Sequence, residues 1–207
     1  MTETRFCDEE AWGFGWFLDG DRMIRTSHAL AAEGGVWLVD PQDASGVEER
    51  VRALGEPRGV IQLLDRHGRD CAAWAERLGG AHHLVPFDPV GPFELVPLVR
   101  TRVWREAALW WREERVLAVA DALGTVDHYF RAGDEPIGVH PLLRFFPPRP
   151  LVRLDPLHVL VGHGHGEHGP HVAAAMRDAI RHARRRLPRA AAGGAAAAVR
   201  RARRHAR

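Results

Sequence analysis

Apolar residues occur in short runs that Gly and charged residues interrupt, a pattern typical of β-strands. Residues 107–111 and 115–120 are two such runs, and the charged triplet between them predicts a hairpin. Prolines recur between residues 131 and 150, which excludes a regular element there. The remaining predicted strands are 12–18, 25–30, 35–40, 59–64, 81–85 and 158–161.

Helical spacing of apolar residues appears in three segments. Residues 45–48 (Ser-Gly-Val-Glu) have the form of a capping box and predict a helix that ends at Leu54. A second helix is predicted over 69–78, and a third from about 171 to 187. Because strands and helices alternate, we expect a layered α/β fold with functional groups in the loops at the strand ends.

Length and charge divide the chain into a body and a tail. The 207 residues, 45% of them hydrophobic, can bury one sizeable core, so we expect a single domain over residues 1–187. Ten of the 29 basic residues follow residue 180 and no acid does, whereas residues 1–180 carry 19 basic and 27 acidic residues. We predict that the Ala/Arg-rich tail, residues 188–207, is disordered or docks on the acidic body, and that nucleic acid or an anionic membrane binds it only nonspecifically.

The sequence contains no feature of a membrane or secreted protein. No apolar run approaches the roughly 20 residues that span a bilayer, and the N-terminus does not follow the order of a secretion signal. Cys7 lies in a polar leader and Cys71 on an apolar helical face, so no structural disulfide is expected. These features predict a cytoplasmic protein.

Three short segments place acids, a thiol and imidazoles at strand ends. They are 64–71 (Leu-Asp-Arg-His-Gly-Arg-Asp-Cys), 119–123 (Val-Ala-Asp-Ala-Leu) and 161–164 (Val-Gly-His-Gly). In order and context they resemble the metal-binding motifs of the metallo-β-lactamase superfamily, and the resemblance covers roughly residues 10–187. It implies a four-layer αβ/βα sandwich.

In that family a strand ends in Thr-His-x-His-x-Asp-His, a hairpin strand ends in an Asp that bridges two metals, and a late strand ends in Gly-His-Gly. Asp70 and Cys71 stand at the last two ligand positions of the first motif. Asp121 stands at the bridging Asp and His163 at the final His. The resemblance therefore implies that these four residues hold at most one metal ion, and such donors suit Zn²⁺ or Fe²⁺.

The imidazoles of the other metal are missing. Arg66 and Gly68 stand at two of their positions, and residues 100–106 contain no His at the third. Arg66 is expected to lie near the vacated position, where its charge partly replaces the metal. Glu106 is the one acid that could face that position, although a solvated charge at a strand end is its simpler interpretation.

Each proposed ligand also has an ordinary structural interpretation. Asp70 could cap its helix, and Cys71 could be a small core residue. Asp121 could accept turn N–H bonds, and His163 could be a loop histidine. The run 163–168 (His-Gly-His-Gly-Glu-His) imitates the first motif, but too few residues follow it for the rest of the fold, so we interpret it as a flexible loop with adventitious metal affinity.

The resemblance implies metal-dependent hydrolysis of an ester, thioester, amide or phosphoester bond. The degraded site leaves the catalytic residues and the substrate unassigned. The alternative hypothesis is a non-catalytic descendant that binds a small molecule or a protein partner in the old cleft, because function belongs to sites rather than to folds.

Overall fold

The computed structural model describes residues 2–190, and its first sheet has six strands in sequential order. The strands are β1 (Thr4–Glu10), β2 (Gly13–Leu18), β3 (Ser27–Ala32), β4 (Gly35–Val39), β5 (Pro57–Gln62) and β6 (Ala81–Leu84). Neighbouring strands from β1 to β4 are antiparallel, whereas β4, β5 and β6 are parallel to one another.

The second sheet has five strands in the order β13-β12-β9-β8-β7. Its strands are β7 (Glu94–Arg100), β8 (Arg105–Trp111), β9 (Val116–Val119), β12 (His158–Val161) and β13 (Glu167–His168). β12 runs parallel to β9, and the other neighbours are antiparallel. A separate two-stranded ladder joins β10 (Leu123–Gly124) to β11 (Gly138–Val139).

Three helices cover the sheets: α1 (Val47–Leu54), α2 (Cys71–Leu78) and α3 (Val172–His182). Successive residues of β5 show the layering, because side chains alternate between the two faces of a strand. Val60 is buried in one cluster with residues of α1 and α2, while Ile61 is buried in the cluster that contains both sheets and α3. The layer order is therefore helices, sheet, sheet, helix, and the predicted four-layer α/β architecture is confirmed.

Three edge strands of the two large sheets, β1, β7 and the two-residue β13, were not predicted. β1 comes from a polar leader and β7 contains Pro97. Both lie at the edge of a sheet, where a strand needs no apolar pattern on both faces and a missing N–H is tolerated. The capping box at residues 45–48 was wrong, because the helix begins after Gly46, which has a left-handed φ of 78° and no capping side chain.

Two short 3₁₀ segments, Leu142–Arg144 and Arg149–Arg153, interrupt the proline-rich stretch. α3 ends earlier than predicted, and residues 187–190 are again helical. The predicted disorder of the tail concerns mainly residues 191–207, which lie outside the described residues. Within residues 2–190, no helix combines the length and apolar character needed to cross a membrane. The cytoplasmic location stays a prediction.

Candidate metal centre

The candidate site lies where parallel strands of both sheets end. Asp40 follows β4, the loop 63–70 follows β5, Asp121 follows β9, and His163 follows β12. The loop after β5 joins the sheets, since Asp65 N and Ala107 N form hydrogen bonds across them, to Arg105 O and Leu63 O. The carboxyl ends of parallel strands commonly gather functional groups, and they do so here.

Three side chains converge at this edge. His67 Nε2 lies 3.1 Å from Asp121 Oδ1, and His163 Nε2 lies 3.2 Å from the same oxygen. The three ligand atoms all lie within 4.8 Å of one another. The side chains are largely buried, with exposed fractions of 10–14%. Two imidazoles and one carboxylate thus aim donor atoms at a common point that solvent can still reach.

The two imidazoles are oriented by groups behind them. His163 Nδ1 lies 3.1 Å from Met23 O. A carbonyl can only accept a hydrogen bond, so Nδ1 carries the proton and Nε2 presents its lone pair to the site. His67 Nδ1 faces Asp40 Oδ2 at 3.5 Å. His163 therefore has the arrangement of a metal-bound histidine, whose second nitrogen donates to a carbonyl or carboxylate, whereas His67 Nδ1 faces a carboxylate without an aligned hydrogen bond within residues 2–190.

A divalent ion fits these residues. Asp121 Oδ1 is buried, and within residues 2–190 no donor is aligned for a hydrogen bond to it. The lone pair of His163 Nε2 and this anionic oxygen repel each other at 3.2 Å unless a cation or proton lies between them. Burial opposes ionisation of Asp121, but the imidazoles of His163 and His67 hold its pKa well below the usual range. The donor set is therefore ready to bind a cation.

The pKa of His67 reflects the same competition. Burial alone would lower it, but the carboxylates of Asp121 and Asp40 raise it above its ordinary value. Asp40 itself is held by Leu63 N, which donates to its Oδ1 at 2.9 Å. Asp40 was not among the predicted residues, although an acid directly after a buried strand was a signal that could have found it.

Glu106 fixes the main chain that carries Asp121. Its side chain is fully buried, with Oε1 accepting from Asp121 N at 2.9 Å and Ala122 N at 2.7 Å. Trp104 Nε1 donates to Oε2 at 3.0 Å. Burial raises the pKa of Glu106 to about 7, and the N–H donors limit the rise. The interpretation of Glu106 as a solvated charge was wrong.

Arg66 lies beside the site, in agreement with the sequence-based expectation. Its Nη2 atom is 3.7 Å from Oδ2, the second carboxylate oxygen of Asp121. The guanidinium stacks 4.3 Å from the centre of the Trp104 ring and remains about half exposed. Arg66 thus places a positive charge beside this oxygen.

Tyr129 and His140 form a polar pair near the same carboxylate. Tyr129 Oη lies 3.2 Å from His140 Nε2, and Leu142 N donates to His140 Nδ1. Burial lowers the pKa of His140 to about 4, so the ring is neutral near pH 7. Because Nδ1 accepts, Nε2 carries the proton and donates to Tyr129. The phenolic proton of Tyr129 is therefore free to bind another acceptor.

The structure brings together two of the four predicted ligands, Asp121 and His163. Asp70 Oδ2 instead accepts from Asp43 N at 2.6 Å, and Asp70 immediately precedes α2. Cys71 is fully buried on the apolar face of α2, and burial raises the pKa of its thiol. Within residues 2–190 neither joins a convergent group of ligands. The set of four stays a prediction, and the geometry favours His67 as the third ligand.

The histidines of the run 163–171 do not share one flexible loop. His163 belongs to the site, and His165 packs edge-on against Phe17, with ring centroids 5.1 Å apart. His168 lies on β13 and His171 directly precedes α3. The Gly-rich spacing that imitates a metal motif therefore directs these side chains to separate places.

No family model matches this sequence, and no curated protein matches it. Several solved structures do match this chain. The DIM-1 metallo-beta-lactamase aligns with a TM-score of 0.59 and 12% identity, over 87% of this chain and 98% of that one. Diflavin flavoprotein A 5 (fragment 1–254) from Nostoc sp. PCC 7120 aligns with a TM-score of 0.56 and 10% identity, over 90% and 97%.

VMB-1 aligns with a TM-score of 0.55 and 8% identity, over 88% of this chain and 99% of that one. The chain therefore has the metallo-β-lactamase fold, which confirms the prediction made from its motifs. At such low identities the likeness shows the fold alone. On this fold, the cluster of His67, Asp121 and His163 forms a group of candidate metal ligands.

Proposed function

We propose that His67, Asp121 and His163 hold one Zn²⁺ ion and that the protein is a one-metal hydrolase. The observation that carries this proposal is the convergence of two Nε2 atoms on a buried carboxylate oxygen for which residues 2–190 provide no aligned donor. Catalytic zinc sites typically have three protein ligands and an open fourth position, and two imidazoles with one carboxylate match this pattern. The same donors also suit Fe²⁺.

A bound ion would supply Lewis acidity, which acidifies a water molecule and polarises a carbonyl or phosphoryl oxygen. The chain's own residues hold the donors in place. Met23 O fixes the tautomer of His163, and Asp40 stabilises the ring of His67. Glu106 fixes the backbone of Asp121 through two N–H bonds. Such outer contacts are worth roughly 10–100-fold in metal affinity.

The charges around Asp121 favour one ion rather than two. Oδ1 faces the imidazoles, while Oδ2 faces the guanidinium of Arg66 at 3.7 Å. A second divalent cation at Oδ2 would be repelled by this guanidinium, which already neutralises that side of the carboxylate. Arg66 thus occupies the electrostatic role of a second ion.

Arg66 and Tyr129 indicate the class of substrate. A half-exposed guanidinium and a free phenolic proton lie near the same carboxylate and can bind the oxygens of an anionic group or of an oxyanion that develops during hydrolysis. We therefore propose a small ester, thioester or phosphoester that carries negative charge.

The test uses tag-free, full-length protein loaded with Zn²⁺ or, anaerobically, with Fe²⁺. Hydrolysis is followed for chromogenic carboxylic esters, thioesters, amides and phosphoesters, with and without an anionic group. We expect turnover with metal, a loss of at least about 100-fold in kcat/KM for Asp121→Asn, and a preferential loss on anionic substrates for Arg66→Ala.

The matched control is Asp127→Asn, since the side chain of Asp127 is 80% exposed and pairs only with Arg131 among the described residues. It should leave turnover unchanged. Equal activity in Asp121→Asn and Asp127→Asn would refute the hydrolase proposal. Stoichiometric metal binding without turnover of any tested substrate would also refute the hydrolase proposal, and it would favour a non-catalytic binding protein.

A further inference from the structure

A second group of ligand atoms lies between the two sheets, away from the candidate metal centre. Glu10 ends β1, at the edge of the first sheet, and His158 and His168 pair across β12 and β13 of the second sheet. Glu10 Oε1, His158 Nδ1 and His168 Nδ1 all lie within 4.8 Å of one another. The group thus connects residues that are about 150 positions apart in the chain.

The distances are close to those of a zinc site. The two Nδ1 atoms are 2.9 Å apart, and Glu10 Oε1 lies 3.8 Å from one and 3.9 Å from the other. Zinc bonds of about 2.0–2.1 Å in a tetrahedron put neighbouring ligand atoms roughly 3.3 Å apart. This value lies between the observed separations, and all three side chains are partly exposed.

Asp8 fixes the ring of His168. The carboxylate is buried, with 4% of the side chain exposed, and its Oδ1 lies 3.3 Å from His168 Nε2. Gly166 N donates to the same oxygen at 2.9 Å. Because a carboxylate can only accept, His168 Nε2 carries a proton and Nδ1 is directed at His158. This carboxylate–imidazole arrangement orients zinc-binding histidines in many proteins.

Two facing Nδ1 atoms at 2.9 Å require a proton or a metal ion between them. A zinc ion between them would displace the proton and gain a third ligand from Glu10.

We propose that Glu10, His158 and His168 form a second zinc site, which joins the N-terminal strand β1 to the β12–β13 hairpin. The proposal is independent of the function proposed for His67, Asp121 and His163. Since the site ties together the edges of two sheets, its zinc is expected to stabilise the fold rather than to take part in hydrolysis.

The test uses protein in which the candidate metal centre of His67, Asp121 and His163 has been disabled. Full-length, tag-free protein with His67→Ala is titrated with Zn²⁺ alone against a chromophoric chelator, and its thermal unfolding is recorded with and without zinc. We expect one bound zinc per chain and a rise in Tm on addition of zinc. Adding His168→Ala should abolish both effects.

Two further variants in the same background complete the test. Glu10→Gln changes a partly exposed ligand without burying an unpaired group and should weaken zinc binding at least about 10-fold. His171→Ala removes a nearby histidine whose side chain is 60% exposed and which lies outside the group, so it should bind zinc normally.

Thermal unfolding in excess chelator shows whether each variant folds. Zinc binding that survives His168→Ala, or that is absent from His67→Ala alone, would overturn the proposal. A loss of binding with His171→Ala equal to that with His168→Ala would indicate adventitious capture by the His-rich segment and would also overturn it. Full affinity in Glu10→Gln would exclude the three-ligand site.

Discussion

Removing the carboxylate of Glu106 should destabilise the protein strongly. The side chain is fully buried and accepts hydrogen bonds from Asp121 N, Ala122 N and Trp104 Nε1. Glu106→Ala leaves three buried donors without an acceptor, and each costs about 1–3 kcal/mol. Allowing for partial entry of water, we expect the free energy of unfolding to fall by roughly 3–5 kcal/mol, a large share of the ~5–15 kcal/mol typical of a domain.

Glu106→Gln separates lost hydrogen bonds from lost charge. The amide oxygen can still accept from both backbone N–H groups, but the NH₂ group faces another donor, Trp104 Nε1. This variant should lose only about 1–2 kcal/mol. The matched control is Glu94→Gln, an exposed acid paired with Arg112, which directly follows the neighbouring strand β8, and it should change stability by less than about 1 kcal/mol.

The assay is urea unfolding of the metal-free proteins at one pH above about 7, where the wild-type carboxyl group ionises. An unchanged dependence of the unfolding free energy on urea would show that the unfolded states remain comparable. If Glu106→Ala were no less stable than Glu94→Gln, the bonds that fix Asp121 would not carry the energy assigned to them.

Two other changes test the surroundings of the site. A Cβ at Gly162 would lie 2.6 Å from Ala120 O, so Gly162→Ala should shift His163, weaken zinc binding at least about 10-fold and cost roughly 1–3 kcal/mol in urea unfolding. A Cβ at Gly68 would meet open space, so Gly68→Ala should change neither the zinc affinity nor the stability. Equal zinc affinity in the two variants would contradict this expectation. Asp21 accepts hydrogen bonds from Met23 N, Arg25 N and Arg25 Nε. Burial disfavours the ionised carboxyl group, but Arg25 lowers the pKa of Asp21 below its ordinary value. Its stabilisation, about 1–2 kcal/mol relative to Asp21→Asn, should therefore be present at neutral pH and shrink as the pH falls below the ordinary carboxyl pKa of about 4. A difference that does not change with pH would exclude ionisation as its source.

Much of the architecture could be predicted because it depends on local patterns. Buried parallel strands such as β9 and β12 consist mainly of apolar residues, and the loop 63–70 leads from β5 into α2. Asp121 and His163 could be paired from sequence because both follow parallel neighbours, β9 and β12. The ends of such strands necessarily meet at one edge of a sheet.

The role of His67 could not be predicted from the family motif. His67 falls between two ligand positions of that motif, which are occupied here by Arg66 and Gly68. In the same loop, Arg69 adopts a left-handed φ of 38°. Its guanidinium donates to the carbonyl oxygens of Thr26, Asp40 and Gly162. These long-range bonds shape the loop that carries His67, and no local pattern encodes them.

The central claim is that nitrogen and oxygen atoms alone bind the metal at the candidate centre. X-ray absorption at the zinc edge tests it on the His168→Ala variant loaded with one equivalent of Zn²⁺. We predict ligands at about 2.0–2.1 Å, a spectrum unchanged by Cys71→Ala, and loss of the bound zinc with His67→Ala. A scatterer at about 2.3 Å, typical of a zinc–sulfur bond, that disappears with Cys71→Ala would contradict the account.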